Sequence, residues 1–381
     1  MSHFAVMVIG QNVENQLAPY HEFECTGTVD QYVQTIDRLP SLLEDYAKDT
    51  RTMRKGPDGQ LLSAYDDFFY RDPTEEESAK IGSMGGSGFG DGISYSSKDW
   101  GDRKGYRTKV KYLPDGWEEL DVPVSDCMSL VDFIKYQTSD EFPILQEGDD
   151  PDLHGSCKYG WARVNAAGEV IEYTDRTNPN KQWDWYQIGG RCSGFLKLKQ
   201  DAAGSLGQRG LMGSCANDGE GRADSALKSA IDFEGMRDEA GAEAAASWDK
   251  AADAKIAAGF AADTTWDAWP VVRERHPGNI EAARDEYHAQ GAMQAAKKAL
   301  DLWNDTDKYL TPREEFILQA RDSALVLFGV VQDSKWFAKG EMGWFGMSTD
   351  DMTQAEWNRK VNELLDELPD DTLITIVDCH I

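Results

Sequence analysis

The sequence is poor in the features that mark secreted, membrane-spanning and disulfide-bonded proteins. Its six cysteines include no C-x-x-C pair, which in a chain of 381 residues indicates reduced thiols rather than a disulfide framework or a zinc knuckle. No apolar run approaches the roughly 20 residues that a membrane-spanning helix needs. The first residues, MSHFAVMVIG, lack a basic segment and predict a strand rather than a signal peptide. We therefore expect an intracellular protein that does not enter a membrane.

Sequence signatures of common enzyme classes are also missing. The glycines between residues 82 and 105 match neither G-x-G-x-x-G nor the Walker A pattern, which favours a loop-rich insertion over a phosphate-binding loop. Nucleophile elbows and zinc-ligand spacings are absent from the sequence as well. Whether the protein is an enzyme stays open at this point.

Acidic residues greatly outnumber basic ones. Lys and Arg total 39 and Asp and Glu total 68, giving a net charge of -29 and a pI near 4.5. Such a charge repels phosphate backbones, so we expect no direct binding to bare duplex DNA and favour a basic protein as partner. Two interpretations remain: the acid excess keeps the protein soluble, or it mimics nucleic acid.

Hydrophobic patterning at the two chain ends predicts an α+β fold. Phe4–Ile9 is a continuous apolar run that suits a buried strand, and Asn12 begins a short helix through Leu17. The C-terminal part predicts strands in SALVLFGVVQ and KWFAKGEMGWFGM, a helix over Gln354–Leu368 and a last strand in TLITIVDCHI. This β-α-β-β-α-β order is that of a ferredoxin-like α/β sandwich, with the first and last strands antiparallel and adjacent.

Composition divides the rest of the chain into insertions and extensions of this core. Two helices are expected in the first half, over Val29–Tyr46, with a capping box at Thr28 and Gln31, and over Ser125–Tyr136. The predicted segments are residues 1–50 as the first part of the core, 51–120 as a Gly-rich loop and strand insertion, 121–200 as a β-rich continuation, 201–305 as an Ala-rich helical insertion, and 306–381 as the C-terminal β-β-α-β part.

The Ala-rich segment is predicted to be a mostly polar, exposed pair of long helices. The two arms span Ile231–Ala258 and Asn279–Trp303, joined through Trp266–His276. Because few of its residues could anchor a shared core, we expect that this segment can be shortened without unfolding the rest.

Three candidate catalytic residues lie at the chain ends. If the first and last strands are antiparallel neighbours, His3 lies near Asp378 and His380, and the latter two share a face because strand side chains alternate. Two imidazoles and a carboxylate can ligate a metal or act as acid and base near neutral pH. The alternative is a set of hydrogen-bonded residues at a sheet edge, and no metal or cofactor can be named from the pattern.

The stretch WDWYQIGGRCSGF is the second candidate site. Its aromatic residues could stack a base, its glycine pair permits a sharp bend or a close approach, and its arginine is a rigid fork for a carboxylate or phosphate. GEMGWFGM is its expected companion. Alternatively, the aromatic rings fill the core and the arginine pairs with an acid. The candidate ligand-binding residues are Trp183, Asp184, Trp185, Gly189, Gly190, Arg191, Glu341 and Trp344.

Several long motifs together resemble a family encoded by tailed bacteriophages and prophages, for which no activity is established. They are the MSHFAVMVIG start with LAPYHEFE, SSKDWGD followed by KGYR, NPNKQWDWYQIGGR, KGEMGWFGM and the terminal LPDDTLITIVDCHI. In that family a tryptophan tends to follow the arginine, whereas this chain has Cys192, so one aromatic wall of the site is missing here. The resemblance implies infection of a bacterium, and hence the host cytoplasm.

Two classes of function follow from these observations. The first is an acidic accessory protein, acting in counter-defence, that binds and inhibits a basic host protein involved in nucleic-acid processing or defence. The second is a protein or enzyme that binds a nucleotide-like small molecule through the WDWYQIGGR and GEMGWFG motifs and the group of His3, Asp378 and His380. The net charge favours the first, and the clustered aromatic, glycine and arginine residues favour the second.

Overall fold

The computed structural model describes residues 3–27, 31–72, 74–75, 95–96, 109–209, 217, 219–301, 306–342 and 348–381. The chain divides into two compact units, one of residues 1–33 and 178–381 and one of residues 34–177. Helices and mixed sheets occur together, which confirms the α+β class. Within the described ranges, no helix is both long and apolar enough to cross a bilayer.

An eight-stranded sheet forms the centre of the first unit. Its strands are β1 (His3–Ile9), β2 (Trp185–Gly190), β3 (Gly204–Ser205), β4 (Gln208–Arg209), β5 (Ser225–Leu227), β6 (Gly329–Gln332), β7 (Lys335–Ala338) and β8 (Leu373–His380). Their order is β3-β5-β8-β1-β6-β7, and β2 pairs with both β8 and β4.

The first and last of these strands are antiparallel neighbours, as predicted. The register runs from His3 opposite His380 to Ile9 opposite Ile374. On its other edge, β8 pairs with β2 near His380 and with β5 near Leu373. Strand β8 is therefore buried in the interior of the sheet over nearly its whole length.

The ferredoxin-like arrangement is not confirmed. The last strand has partners on both edges, and the parallel neighbour of β1 is β6, the first strand of the C-terminal hairpin. The short strands β2 and β5, from the middle of the chain, take the edge of β8 that a four-stranded sandwich would leave open. Their positions depend on contacts between distant segments, which hydrophobic periodicity does not report.

Apolar clusters cover both faces of the sheet. On one face, Met7, Ile374 and Ile376 pack with the amphipathic C-terminal helix through Trp357 and Val361. That helix begins with the predicted capping box of Thr353 and Glu356. On the other face, a second cluster is built around Phe4, Val6, Val377 and Cys379. The helices of this unit are α1 (Val13–Leu17), α2 (Phe23–Thr26), α3 (Phe233–Ala257), α4 (Trp269–Arg275), α5 (Ile280–His288), α6 (Gly291–Leu300), α7 (Arg313–Ser323) and α8 (Gln354–Glu367).

Shorter elements complete the first unit. Two pairs of short strands lie outside the main sheet: Leu196–Lys197 with Arg222–Ala223, and Gly340–Met342 with Ser348–Asp350. Its 3-10 helices are Ala18–Tyr20, Lys228–Ala230 and Thr306–Leu310.

The Ala-rich segment is not a pair of exposed arms. Helix α3 has the predicted length, but the second arm is divided into α5 and α6, with Pro277 and Gly278 before α5 and Gly291 at the start of α6. Helix α4 lies in the segment predicted to join the arms. Ile231, just before α3, and Met236 in its first turns are buried in the sheet core. The segment is therefore anchored at its start, and its shortening without unfolding of the rest stays a prediction.

The helical segment also has a core of its own. Its buried members include Trp266, Val272, Tyr287 and Met293. Lys255 is buried with its ammonium group over the rings of Trp248 and Trp266, and this burial lowers its pKa. Small alanines between these large rings permit close helix packing, which a count of apolar residues along the sequence underestimates.

The second unit contains one four-stranded and two three-stranded sheets. Helices Leu39–Lys48 and Leu130–Gln137 pack on the four-stranded sheet through Leu42, Phe133 and Ile134. The four-stranded sheet has the order Gln34–Asp37, Val170–Thr177, Gly160–Val164 and Ile144–Gln146. The three-stranded sheets have the orders Leu61–Ser63, Thr50–Lys55 and Glu118–Pro123, and Tyr70–Arg71, Lys109–Lys111 and Tyr95–Ser96. A short helix at Val124–Cys127 and 3-10 helices at Asp67–Phe69, Pro151–Leu153 and Gly155–Tyr159 complete the unit.

Two helix predictions in this region need correction. Instead of a helix over Val29–Tyr46, a strand precedes a helix that begins at Leu39 with Pro40 in its first turn, where the missing amide hydrogen costs nothing. The helix predicted over Ser125–Tyr136 is interrupted, and Ser129 caps its second part by accepting a hydrogen bond from the Asp132 amide. Residues 28–30 and most of the glycine-rich stretch lie outside the described residues.

Asp307 connects several parts of the helical core. Its carboxylate accepts hydrogen bonds from the Trp266 indole, the Tyr287 hydroxyl and the Trp269 amide, at 2.8, 2.6 and 2.6 Å. Burial is the main cause that raises the pKa of Tyr287, and the hydrogen bond from its hydroxyl to Asp307 is the second, so the phenol remains a neutral donor.

We predict that Asp307→Ala lowers the free energy of unfolding by about 3 kcal/mol, because three donors lose a charged acceptor at once. The exposed Asp253 is the matched control, and Asp253→Ala should change stability by less than about 0.5 kcal/mol. Urea unfolding of both variants checks this. Equal stability of the two variants would contradict the role given to Asp307.

Candidate functional site

Polar residues continue an otherwise apolar face of strand β8. Ile374, Ile376, Asp378 and His380 alternate along the strand and so share one face, and the two isoleucines pack in the sheet core. His3 lies opposite His380 in the register. The sheet thus brings the three predicted catalytic side chains together at one end of β1 and β8.

The first histidine is paired with a buried carboxylate. His3 Nδ1 lies 3.0 Å from Asp378 Oδ1, and the Asp378 side chain is only 1% exposed. The second oxygen of Asp378 accepts a hydrogen bond of 2.8 Å from the Arg191 amide. Since an ionised carboxylate only accepts hydrogen bonds, His3 donates through Nδ1.

The second histidine is paired with the carboxylate of Asp184, the residue just before strand β2. His380 Nδ1 lies 2.7 and 2.9 Å from the two oxygens of Asp184. The backbone reinforces this pair, because the Asp184 amide donates to the His380 carbonyl at 2.9 Å. Asp184, a candidate ligand-binding residue, accepts a hydrogen bond from His380 here.

Both imidazoles leave their second nitrogen unbonded. In the described part of the chain, neither His3 Nε2 nor His380 Nε2 makes a hydrogen bond. The His3 side chain is 14% exposed and that of His380 is 6% exposed, so the pair lies at the edge of the core. An imidazole held at Nδ1 with an unbonded Nε2 can donate or accept a proton.

Trp185 stacks on this pair. Its ring lies 5.0 Å from that of His380 at an interplanar angle of 18°, and it meets His3 edge-on at 5.2 Å. The two imidazole rings are themselves 4.8 Å apart. Trp185 is 42% exposed, so part of its ring surface is open to solvent although one face covers His380.

Trp183, by contrast, belongs to the core. It is 8% exposed, and its indole nitrogen donates to the Leu17 carbonyl at 3.1 Å. Its ring packs against His21 and Tyr186. A stacking residue needs a free ring face, which Trp183 does not have, so we assign it a structural role instead of the predicted ligand contact.

The glycine pair approaches two internal carboxylates rather than a ligand. A Cβ added to Gly190 would lie 2.4 Å from the Asp378 Cβ, and one added to Gly189 would lie 2.3 Å from Asp224 Oδ2. Both glycines have positive φ, at +79° for Gly189 and +54° for Gly190. The close approach expected from the sequence is present, and it serves the packing of the turn.

Asp224 is the important residue that the sequence did not reveal. It is fully buried and accepts hydrogen bonds from the Ser193 hydroxyl and from the amides of Gly194 and Gly207. It thereby fixes the turn that follows β2 and carries Arg191. Its partners lie 17 to 31 residues away, and no local motif announces them.

The remaining predicted residues lie in different surroundings. The Arg191 guanidinium is half-buried and, within the described residues, makes no hydrogen bond or ion pair. Glu341 is exposed on the separate strand Gly340–Met342, and Trp344 lies outside the described residues. In the described ranges, no three His, Cys, Asp or Glu residues are grouped to hold a metal ion.

Burial also controls the cysteine between the two polar residues of β8. Cys379 points to the opposite, apolar face and is completely buried. This burial is the main cause that raises the pKa of the thiol well above its usual range, and the nearby carboxylates of Asp378 and Asp184 add to it. Cys379 is consequently a packing residue and not a nucleophile.

We predict that Gly190→Ala destabilises the fold by about 2–3 kcal/mol more than Gly278→Ala does. Gly278 also has a positive φ, but an added Cβ there meets no atom within 4 Å, so its substitution reports the backbone strain alone. Chemical denaturation of both variants measures the difference. Equal losses would show that the turn yields without disturbing Asp378.

Comparison with protein-family models, with curated proteins and with solved structures finds no significant match to this chain. The resemblance to a bacteriophage family therefore remains an expectation from the motifs. Function has to be inferred from the geometry of the site formed by His3, Asp184, Trp185, Asp378 and His380, which we call the histidine site.

Proposed function

We propose that the histidine site binds a small anionic molecule with a flat ring, of the nucleotide type. The observation that carries this proposal is the ring of Trp185, which covers His380 on one face and is 42% exposed. Stacking on an aromatic side chain contributes roughly 1–3 kcal/mol per base and needs one open ring face.

Arg191 supplies the charge that such a ligand needs. Several arginines of the described structure pair with an acid, among them Arg54, Arg222 and Arg313. Arg191 has no partner for its guanidinium within the described ranges, as is also true of Arg273 and Arg284, but those two are exposed whereas Arg191 is half-buried. Its amide is fixed on Asp378, so its side chain starts beside the histidine pair. A guanidinium fork fits a phosphate or carboxylate.

We predict that Trp185→Ala weakens binding of adenosine, guanosine, cytidine and uridine 5′-monophosphates at least tenfold, because the stacking surface is lost. Trp185→Phe should retain most of the affinity. The exposed Tyr65 is the matched aromatic control, and Tyr65→Ala should bind like the unmodified protein. Isothermal titration calorimetry measures each affinity, and equal affinity of Trp185→Ala and Tyr65→Ala would contradict the proposal.

Arg191→Ala separates a ligand contact from a structural one. Because the guanidinium makes no bond in the described structure, its removal should change the free energy of unfolding by less than about 0.5 kcal/mol. Affinity for the monophosphates should fall, whereas affinity for the uncharged nucleosides should not. A loss of several kcal/mol of stability would indicate an arginine that supports the fold instead.

The net charge of -29 favours a second candidate, an accessory protein encoded by a phage that binds and inhibits a basic host protein in the bacterial cytoplasm. If this is its function, the immobilised protein should retain a basic nucleic-acid-processing or defence enzyme from host lysate, and salt should release it. The purified enzyme should then lose activity when the protein is added. Retention that is insensitive to salt would contradict an electrostatic partner.

A further inference from the structure

We infer that His3 and His380 form an acid–base pair that hydrolyses a phosphodiester of the bound ligand. This inference rests on the proposed ligand site and adds a reaction to it. The two imidazoles are adjacent, with ring centroids 4.8 Å apart, and each is held at Nδ1 by its own carboxylate. Neither Nε2 makes a hydrogen bond within the described residues.

Two separate carboxylates are what distinguish this pair from histidines that only fill a sheet edge. If the histidines served only to satisfy Asp378, one imidazole would be enough, because the other oxygen of Asp378 already has the Arg191 amide. Instead, His380 has a second acid, Asp184, which binds it through both oxygens. Both rings are therefore fixed in the tautomer that presents Nε2, as a positioned acid and base require.

The charge of the site indicates a phosphodiester as the substrate class. A phosphodiester carries one negative charge, and Arg191, whose backbone amide binds Asp378, has a guanidinium without a partner in the described structure. The exposed ring of Trp185 selects a diester that bears a base.

The reaction balances without an oxidant, a reductant or any further reagent. One neutral imidazole takes a proton from water at Nε2 while the water oxygen forms a bond to phosphorus. The bond between phosphorus and one ester oxygen breaks, and the leaving oxygen takes a proton from Nε2 of the other, protonated imidazole. The products are a phosphomonoester and an alcohol, and proton exchange with solvent restores the pair.

Substitution by asparagine tests the pair without removing its hydrogen bonds. The amide nitrogen of asparagine lies close to the position of Nδ1, so His3→Asn and His380→Asn can still donate to Asp378 and Asp184, but both lack Nε2. We expect each variant to lose at least about 100-fold in kcat on a 3′,5′-linked dinucleotide, while binding of the nucleoside monophosphates changes by less than threefold. His154→Asn, at an exposed histidine outside the site, should keep full activity.

A better leaving group distinguishes the acid from the base. The p-nitrophenyl ester of thymidine 5′-monophosphate releases a phenolate that needs no proton, so the variant that lacks the acid should recover activity on it, and the variant that lacks the base should not. Recovery of neither variant or of both would overturn the assignment of complementary roles.

The outcomes also separate this inference from the proposal on which it rests. If the unmodified protein binds the monophosphates but cleaves neither substrate, the acid–base pair is refuted and the binding site stands. If it neither binds the monophosphates nor cleaves the diesters, both are refuted. Activity in the asparagine variants equal to that of His154→Asn would refute the pair even if the protein is a phosphodiesterase. Melting temperatures of all variants confirm that they are folded.

Discussion

The antiparallel pairing of β1 with β8 is the interaction on which the rest of the first unit depends. It sets His3 opposite His380 and places two isoleucines and two polar residues along one face of β8. The edge of β8 that β1 leaves open then accepts β2 and β5. A shift of the register by one residue would turn Asp378 and His380 into the apolar cluster around Cys379, so the hydrophobic pattern and the site specify the same alignment.

Apolar and polar contacts thus hold successive parts of the same strand, β8. Ile374 and Ile376 secure β8 to the core, and beyond them Asp378 stays buried because its oxygens are met by His3 and by the Arg191 amide. The Gly189–Gly190 turn allows that amide to come close enough. A side chain at Gly190 would collide with Asp378, and one at Gly189 would collide with Asp224.

Part of this arrangement was readable from the sequence. The apolar runs at both ends and the rule that strand side chains alternate were sufficient to place His3 beside Asp378 and His380. The pairing of Asp184 with His380 was not, because it requires β2 to join the far edge of β8, 196 residues away along the chain. Helical periodicity also misled at Ile36, which lies in a strand, since a few apolar residues fit both periods.

The tryptophans show a further limit. Trp183 and Trp185 are two residues apart, and strand alternation would place them on the same face. Trp183, however, precedes β2 and joins His21 in an isolated bridge, so its ring turns into the core while that of Trp185 remains at the surface. Both are tryptophans with the spacing of one strand face, and they differ only because β2 begins at Trp185, after Trp183.

The sequence distance within the histidine site has a consequence for synthesis on the ribosome. His3 and Asp378 are separated by 375 positions, so the first strand emerges long before its partner. Until β8 has been made, the apolar strand β1 lacks a partner on one edge, because β6 pairs only with the other edge. The two histidines can therefore meet only after residue 380 has been synthesised, so the site forms late relative to its first strand.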